Sequence, residues 1–130
     1  MAAKQRPLSP HLGIYKKQIT SVLSIMHRAA GVVNAIGGLA VAAWLVIVAS
    51  SPECFTWSQH IFASWFGQLA LFIFSASLIY HLLNGIRHLL WDIGWGMEIQ
   101  QVINTGRTVV VLAILLTGLL WFVALRGGAL

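Results

Sequence analysis

Charge is what this sequence has least of. Of its 130 residues only 8% are Asp, Glu, Lys or Arg, and just 3 are acidic. A soluble domain carries about 25% charged residues to cover its surface. With 58% hydrophobic residues and a mean hydropathy of +0.83, this chain has no such cover, so lipid or other subunits must provide it. Cysteine is as scarce. Cys54 stands alone, which excludes an internal disulfide framework and leaves an ordinary small residue near an interface. The segment Met1 to Thr20 has charges and prolines but no apolar core, so it is not a cleavable signal. It is also too short and too poor in Ser and Arg for a transit peptide, and the first apolar span is expected to be its own insertion signal.

The few charges divide the chain. Between Arg28 and Glu53 lie 24 uncharged residues, between Glu53 and Arg87 lie 33, and between Arg107 and Arg126 lie 18. A spanning helix needs about 20 mainly apolar residues at about 1.5 Å each. The expectation is an all-α integral membrane protein with three transmembrane helices, antiparallel in up-down-up order, at about 25–48, 61–86 and 106–126. The middle run exceeds one crossing, and Cys54 to His60 is polar enough to be its outer approach. Residues 1–130 then form a single domain with a polar N-terminal arm over 1–20.

A formal net charge of +5 could suggest nucleic acid, but its distribution points to topology. Lys4, Arg6, Lys16, Lys17 and Arg28 precede or open the first span, and Arg87 and Arg107 flank the connection between the second and third. The other connection holds no Lys or Arg, and the C-terminal end has only Arg126. That asymmetry places the N-terminus in the cytoplasm or its equivalent.

Pro7 and Pro10 disfavour a helix in the arm, which is expected to lie against something on the cytoplasmic face. Thr20 or Ser21 is the expected N-cap of the first helix. Ser50-Ser51-Pro52-Glu53 and Gly94-Trp95-Gly96 read as breaks. Trp57, Trp65, Trp91, Trp95 and Trp121 fall near the expected interfaces, where an indole suits the boundary.

Two polar stripes interrupt the apolar runs. On the first helix Ser24, His27, Arg28 and Gly31 share a face by their spacing, continued by Asn34 or Ala35, Gly38 and Ala42. On the second, His81, Asn84 or Gly85, His88 and Asp92 form one stripe. Antiparallel packing brings both to the cytoplasmic side. Intramembrane ionisable groups usually mark function or pairing, and His81 lies about 16 Å deeper than Asp92. A lone buried histidine is equally a polar contact between helices. The glycine one turn beyond His81, Gly85, shifts the balance, because it leaves room for a flat macrocycle near the backbone.

A haem iron in an electron-transfer site takes two neutral imidazoles, each oriented through its other ring nitrogen. His81 suits one axial position. His88 points from the same face and cannot reach the opposite side of one porphyrin, so a second axial ligand must come from another chain. His88, His27 and Arg28 suit propionate carboxylates. Ser24 and Arg28 pair a hydroxyl donor with a cation, which suits a quinone carbonyl that becomes anionic. The same two residues are also compatible with a back-bonded serine and a snorkelling arginine. Asp92 is placed either to pair with His88 at i,i+4 or to face Arg28 across the helices.

At these residues the sequence resembles the cytochrome b anchor subunit of succinate dehydrogenase, in respiratory complex II. The likeness is carried by Arg6-Pro7-Leu8, Leu12, Ile19 and Ser24-Ile25-Met26-His27-Arg28, and by the run from His81 through Asn84-Gly85-Ile86-Arg87-His88 and Trp91-Asp92 to Gly94. Arg6 to Leu12 with Ile14-Tyr15 is similar to the mitochondrial and alphaproteobacterial branch. One position departs: Ala30 stands where the family usually has Ser or Thr.

The resemblance implies that His81 is the axial ligand of haem b, with the other histidine from a second small membrane-anchor subunit in the same helical bundle. It implies that His27, Arg28 and His88 contact the propionates, that Ser24 and Arg28 line a ubiquinone site, and that Asp92 and Gly85 give support. FAD and iron–sulfur clusters belong to a flavoprotein and an iron–sulfur subunit, so this chain does no succinate chemistry. The expected location is the bacterial inner membrane rather than the mitochondrial one. Alternatives are a fumarate reductase anchor and a stand-alone membrane cytochrome b, which lacks a second axial histidine on another span. A small transporter would need a coupling carboxylate within the spans, and Asp92 and Glu98 lie outside them.

Overall fold

The structure is a computed structural model that describes residues 18–127. The expectations for most of the N-terminal arm, including Arg6-Pro7-Leu8, Pro10 and the basic residues Lys4, Lys16 and Lys17, lie outside the described residues. Four helices follow in order: α1 (Ile19–Ser50), α2 (Pro52–Ala63), α3 (Trp65–Asp92) and α4 (Ile99–Arg126). Among the described residues there is no strand. The helices α1, α3 and α4 are each long and apolar enough to cross a membrane.

α1 has 32 residues, so it is about 48 Å long. That exceeds a hydrocarbon core of about 30 Å, and the helix must tilt or project beyond it. It begins one residue earlier than Thr20. Gln18 is the extended N-cap, and the Val22 amide already donates to the Gln18 carbonyl at 3.1 Å. Thr20 and Ser21 therefore lie inside the first turn, which corrects the expected cap.

The segment Cys54 to His60 is part of a helix of its own. α2 starts with Pro52, whose missing N–H costs nothing at a first helical position. The Ser51 hydroxyl accepts from the Glu53 amide at 3.1 Å, and Glu53 lies in the first turn, where the helix dipole favours an acid. Ser64 then divides α2 from α3. Its amide donates back to the Ile61 carbonyl at 3.1 Å, while its hydroxyl accepts from the Gly67 amide at 3.2 Å. The chain turns so tightly there that a Cβ on Gly67 would run into the Ile61 carbonyl and the Phe62 backbone.

The break at Gly94-Trp95-Gly96 is a Schellman end to α3. The Trp95 amide reaches the Leu90 carbonyl at 3.0 Å and the Gly94 amide reaches that of Trp91 at 2.8 Å. Gly94 has φ 81° and Gly96 φ 76°, a backbone region that favours glycine. The Trp91 indole N–H donates to the Gly96 carbonyl at 3.2 Å and closes the turn.

α3 is the central helix, packed on both α1 and α4. Leu23, Ala30, Tyr80, Val109 and Ala113 form the buried apolar core. Most large apolar side chains on the three long helices face outward, Leu39, Val46, Leu82 and Ile114 among them, as expected of surfaces covered by lipid or by other subunits.

Gly67→Ala is expected to destabilise the protein by about 1–3 kcal/mol, the usual range for forcing atoms into packed space. A Gly38→Ala control, where a Cβ meets nothing within 4 Å, should be nearly neutral. Thermal unfolding in mild detergent compares the two.

Candidate functional site: a histidine cluster between α1 and α3

The seam between α1 and α3 is stitched by side chains of α3 bonded to carbonyls of α1. Ser77 donates to the Ala30 carbonyl at 3.0 Å, Tyr80 to that of Leu23 at 2.9 Å, and His81 Nδ1 lies 3.2 Å from that of His27. A helical carbonyl keeps a second lone pair after its own helix bond, so each can accept one more donor. Three such bonds fix the sliding register of the two helices. At Ala30 the hydroxyl is supplied by Ser77 from the facing helix.

The His81 bond also decides its tautomer. A carbonyl only accepts, so Nδ1 carries a proton, and in the neutral imidazole Nε2 keeps the lone pair. Gly31 makes the approach possible, since a Cβ there would stand 3.2 Å from His81 Cε1. The His27 ring lies flat on that of His81, with centroids 4.0 Å apart and planes within 7°. His88 completes the cluster, 5.1 Å from His27 and tilted by 59°. The three histidines singled out from the sequence are thus brought together. They do not form a metal site of their own: among the described residues no group of three or more His, Cys, Asp or Glu could hold an ion. His27 Nδ1 is buried without a hydrogen-bond partner.

Other expected residues are dispersed around this cluster. Gly85 lies one turn from His81, and a Cβ on it would meet open space. Ser24 is half-buried on α1, and Arg28 is exposed. Neither hydrogen-bonds to the histidine cluster. Asp92 is exposed at the end of α3. His88 takes Asn84 at 3.3 Å as its hydrogen-bond partner and the Trp91 ring at 5.0 Å as its neighbour, so the His88–Asp92 pair, one of the two placements open to Asp92, does not form.

The residue that sequence reasoning passed over is Arg87, counted only as a flanking charge. It is 4% exposed. Its Nη2 donates to the Val102 carbonyl at 2.8 Å, its Nε to Thr105 Oγ1 at 3.1 Å and its Nη1 to Asn84 Oδ1 at 3.3 Å. The guanidinium also lies 4.0 Å from the Trp91 ring centroid. Asn84 is wholly buried. Gly106 leaves room on α4, where a Cβ would stand 3.5 Å from Arg87 Nη2 and 2.6 Å from Leu23 Cδ1. The helical spacing of Asn84, Arg87 and Trp91 was the available signal.

Residues 2–120 match the family of succinate dehydrogenase/fumarate reductase transmembrane subunits. The chain is 44% identical over 117 residues to the succinate dehydrogenase cytochrome b556 subunit of Rickettsia felis, covering 90% of this chain and 91% of that one. To the subunit of the same name in Paracoccus denitrificans it is 39% identical over 114 residues, 85% of this chain and 88% of that relative. To the mitochondrial cytochrome b560 subunit of Mus musculus it is 38% identical over 120 residues, 89% and 70% respectively.

Tyr80→Phe is expected to weaken the bundle by about 0.6 kcal/mol, the average for interhelical hydrogen bonds in membranes. Arg87→Leu should cost more, since it also leaves buried Asn84 without the donor to its oxygen, a penalty of about 1–3 kcal/mol. Denaturant titration in detergent ranks the two; an Arg87 variant as stable as wild type would remove its bridging role.

Proposed function

The chain belongs to the succinate dehydrogenase/fumarate reductase transmembrane subunit family, and from that premise we propose that it is the cytochrome b membrane anchor of a succinate:quinone oxidoreductase of the complex II type. It helps bind haem b and ubiquinone. In this reading it works with a flavoprotein, an iron–sulfur subunit and a second small anchor subunit. Those partners carry FAD and the iron–sulfur clusters. Residues 1–130 act as one anchor domain in a bacterial inner membrane, with the N-terminal arm on the cytoplasmic side. A fumarate reductase anchor would use the same parts with flow reversed, but the relatives compared above are named for succinate dehydrogenase.

The observation that carries the haem reading is the bond between His81 Nδ1 and the His27 carbonyl. It occupies Nδ1, so a neutral imidazole here has Nε2 available, as an axial ligand requires. The residues fit the group in two further ways. Gly85 offers open space one turn along α3, and Leu78, Leu82 and Leu89 present exposed apolar side chains on the same helix. His81 would hold the iron from one side, with a histidine of the second anchor subunit on the other. His27, Arg28 and His88 would meet the propionates. Asp92 and Gly85 would support the site. When bound, haem b would supply a one-electron store.

Quinone reduction adds two electrons and two protons to the two carbonyl oxygens. The electrons would come from the iron–sulfur subunit and the protons from water at the membrane surface. Ser24 would donate its hydroxyl hydrogen bond to one carbonyl oxygen, and the Arg28 guanidinium would favour the negative charge that gathers there. A half-buried hydroxyl one helical turn from an exposed cation supports this reading.

Two substitutions test it in the assembled complex. His81→Ala should abolish most haem binding; full haem occupancy would remove the axial assignment. Ser24→Ala should retain haem and slow quinone reduction about tenfold to a hundredfold, since a hydrogen bond to a charged group is worth about 1.5–3 kcal/mol. An unchanged rate would end the Ser24 role.

A further inference from the structure

We propose that Arg87 and Asn84 are positioning residues that lock His88 into the tautomer protonated at Nδ1, so that the histidine presents an N–H donor toward the site. The chain of contacts begins on α4. The Thr105 hydroxyl donates to the Gln101 carbonyl at 2.8 Å, which turns an oxygen lone pair toward Arg87 Nε. The Val102 carbonyl accepts from Nη2, and the Trp91 ring covers the guanidinium plane. With these three contacts fixed, Nη1 points at Asn84.

A guanidinium has donors and no acceptor. The Asn84 atom facing it must therefore be the amide oxygen, because the flipped amide would set donor against donor. That leaves the Asn84 NH2 group facing His88 Nε2 at 3.3 Å. An amide nitrogen only donates, so Nε2 must accept, and the single ring proton of His88 sits on Nδ1. One chain of polarity thus runs from α4 through Arg87 and Asn84 to the histidine cluster. It ends with an N–H group suited to an anionic oxygen such as a carboxylate. That last step rests on the reading of His88 as a propionate contact; the tautomer itself does not.

The test is nitrogen-15 NMR of the reduced, histidine-labelled complex in lipid, with His88 assigned by the signal lost in His88→Gln. The expected wild-type result is a protonated Nδ1 and a bare Nε2. Asn84→Asp keeps an acceptor for Arg87 but offers His88 only acceptors, so the proton should move to Nε2. A protonated Nε2 in the wild type would overturn the proposal, as would a proton that stays on Nδ1 in Asn84→Asp. If that variant fails to assemble, the wild-type spectrum alone decides. The propionate reading is tested separately by the haem midpoint potential of His88→Gln. No change in that potential would end the propionate contact and leave the tautomer result standing.

Discussion

Inside a bilayer no water is present to satisfy a polar side chain, and that constraint organises the bundle. Polar groups that α3 carries into the packed interior find partners on a neighbouring helix or, as Asn84 does with Arg87 and His88, on α3 itself. Ser77, Tyr80 and His81 find carbonyls of α1, and Arg87 finds Val102 and Thr105 of α4. Each bond taken alone is modest. Together they specify which residues of the three helices stand opposite one another, and apolar packing in lipid does not specify that by itself.

The same bonds orient the imidazoles. A histidine held by a carbonyl has one defined lone pair, and an asparagine held by an arginine has one defined donor. The side chains that align the helices are thereby the ones that orient the imidazoles. Glycines make this possible where rings and backbones must meet: Gly31 admits His81, and Gly106 admits Leu23 beside Arg87. The apolar residues of α1 beyond Val32 are largely exposed. This suits a subunit whose remaining surface is completed by lipid and by partner chains.

The sequence made the three spans legible because so few charges interrupt them, and the spacing of His81, Gly85 and His88 marked one face of α3. That the two polar stripes face each other also followed from antiparallel spans, although the stacking of His27 on His81 did not. Other features were hidden for physical reasons. Arg87 looked like a boundary charge, because its burial depends on Thr105 and Val102 from a helix beyond the turn. α2 looked like an approach to a span, since its start depends on a local cap at Ser51 and its end on Ser64. That His88 bonds to Asn84, one turn before it, rather than to Asp92, one turn after it, turned on the direction its side chain takes, which residue spacing does not fix.

A bundle that is one half of a membrane anchor completed by other chains should leave the membrane together with them. The direct measurement is purification of the tagged chain from its native membrane in mild detergent, with identification of everything recovered and an absorbance spectrum of the product. Recovery with a flavoprotein, an iron–sulfur protein and a second small three-span subunit, together with a b-type haem spectrum, is the predicted result. Recovery of the stably inserted chain alone and without haem would contradict it.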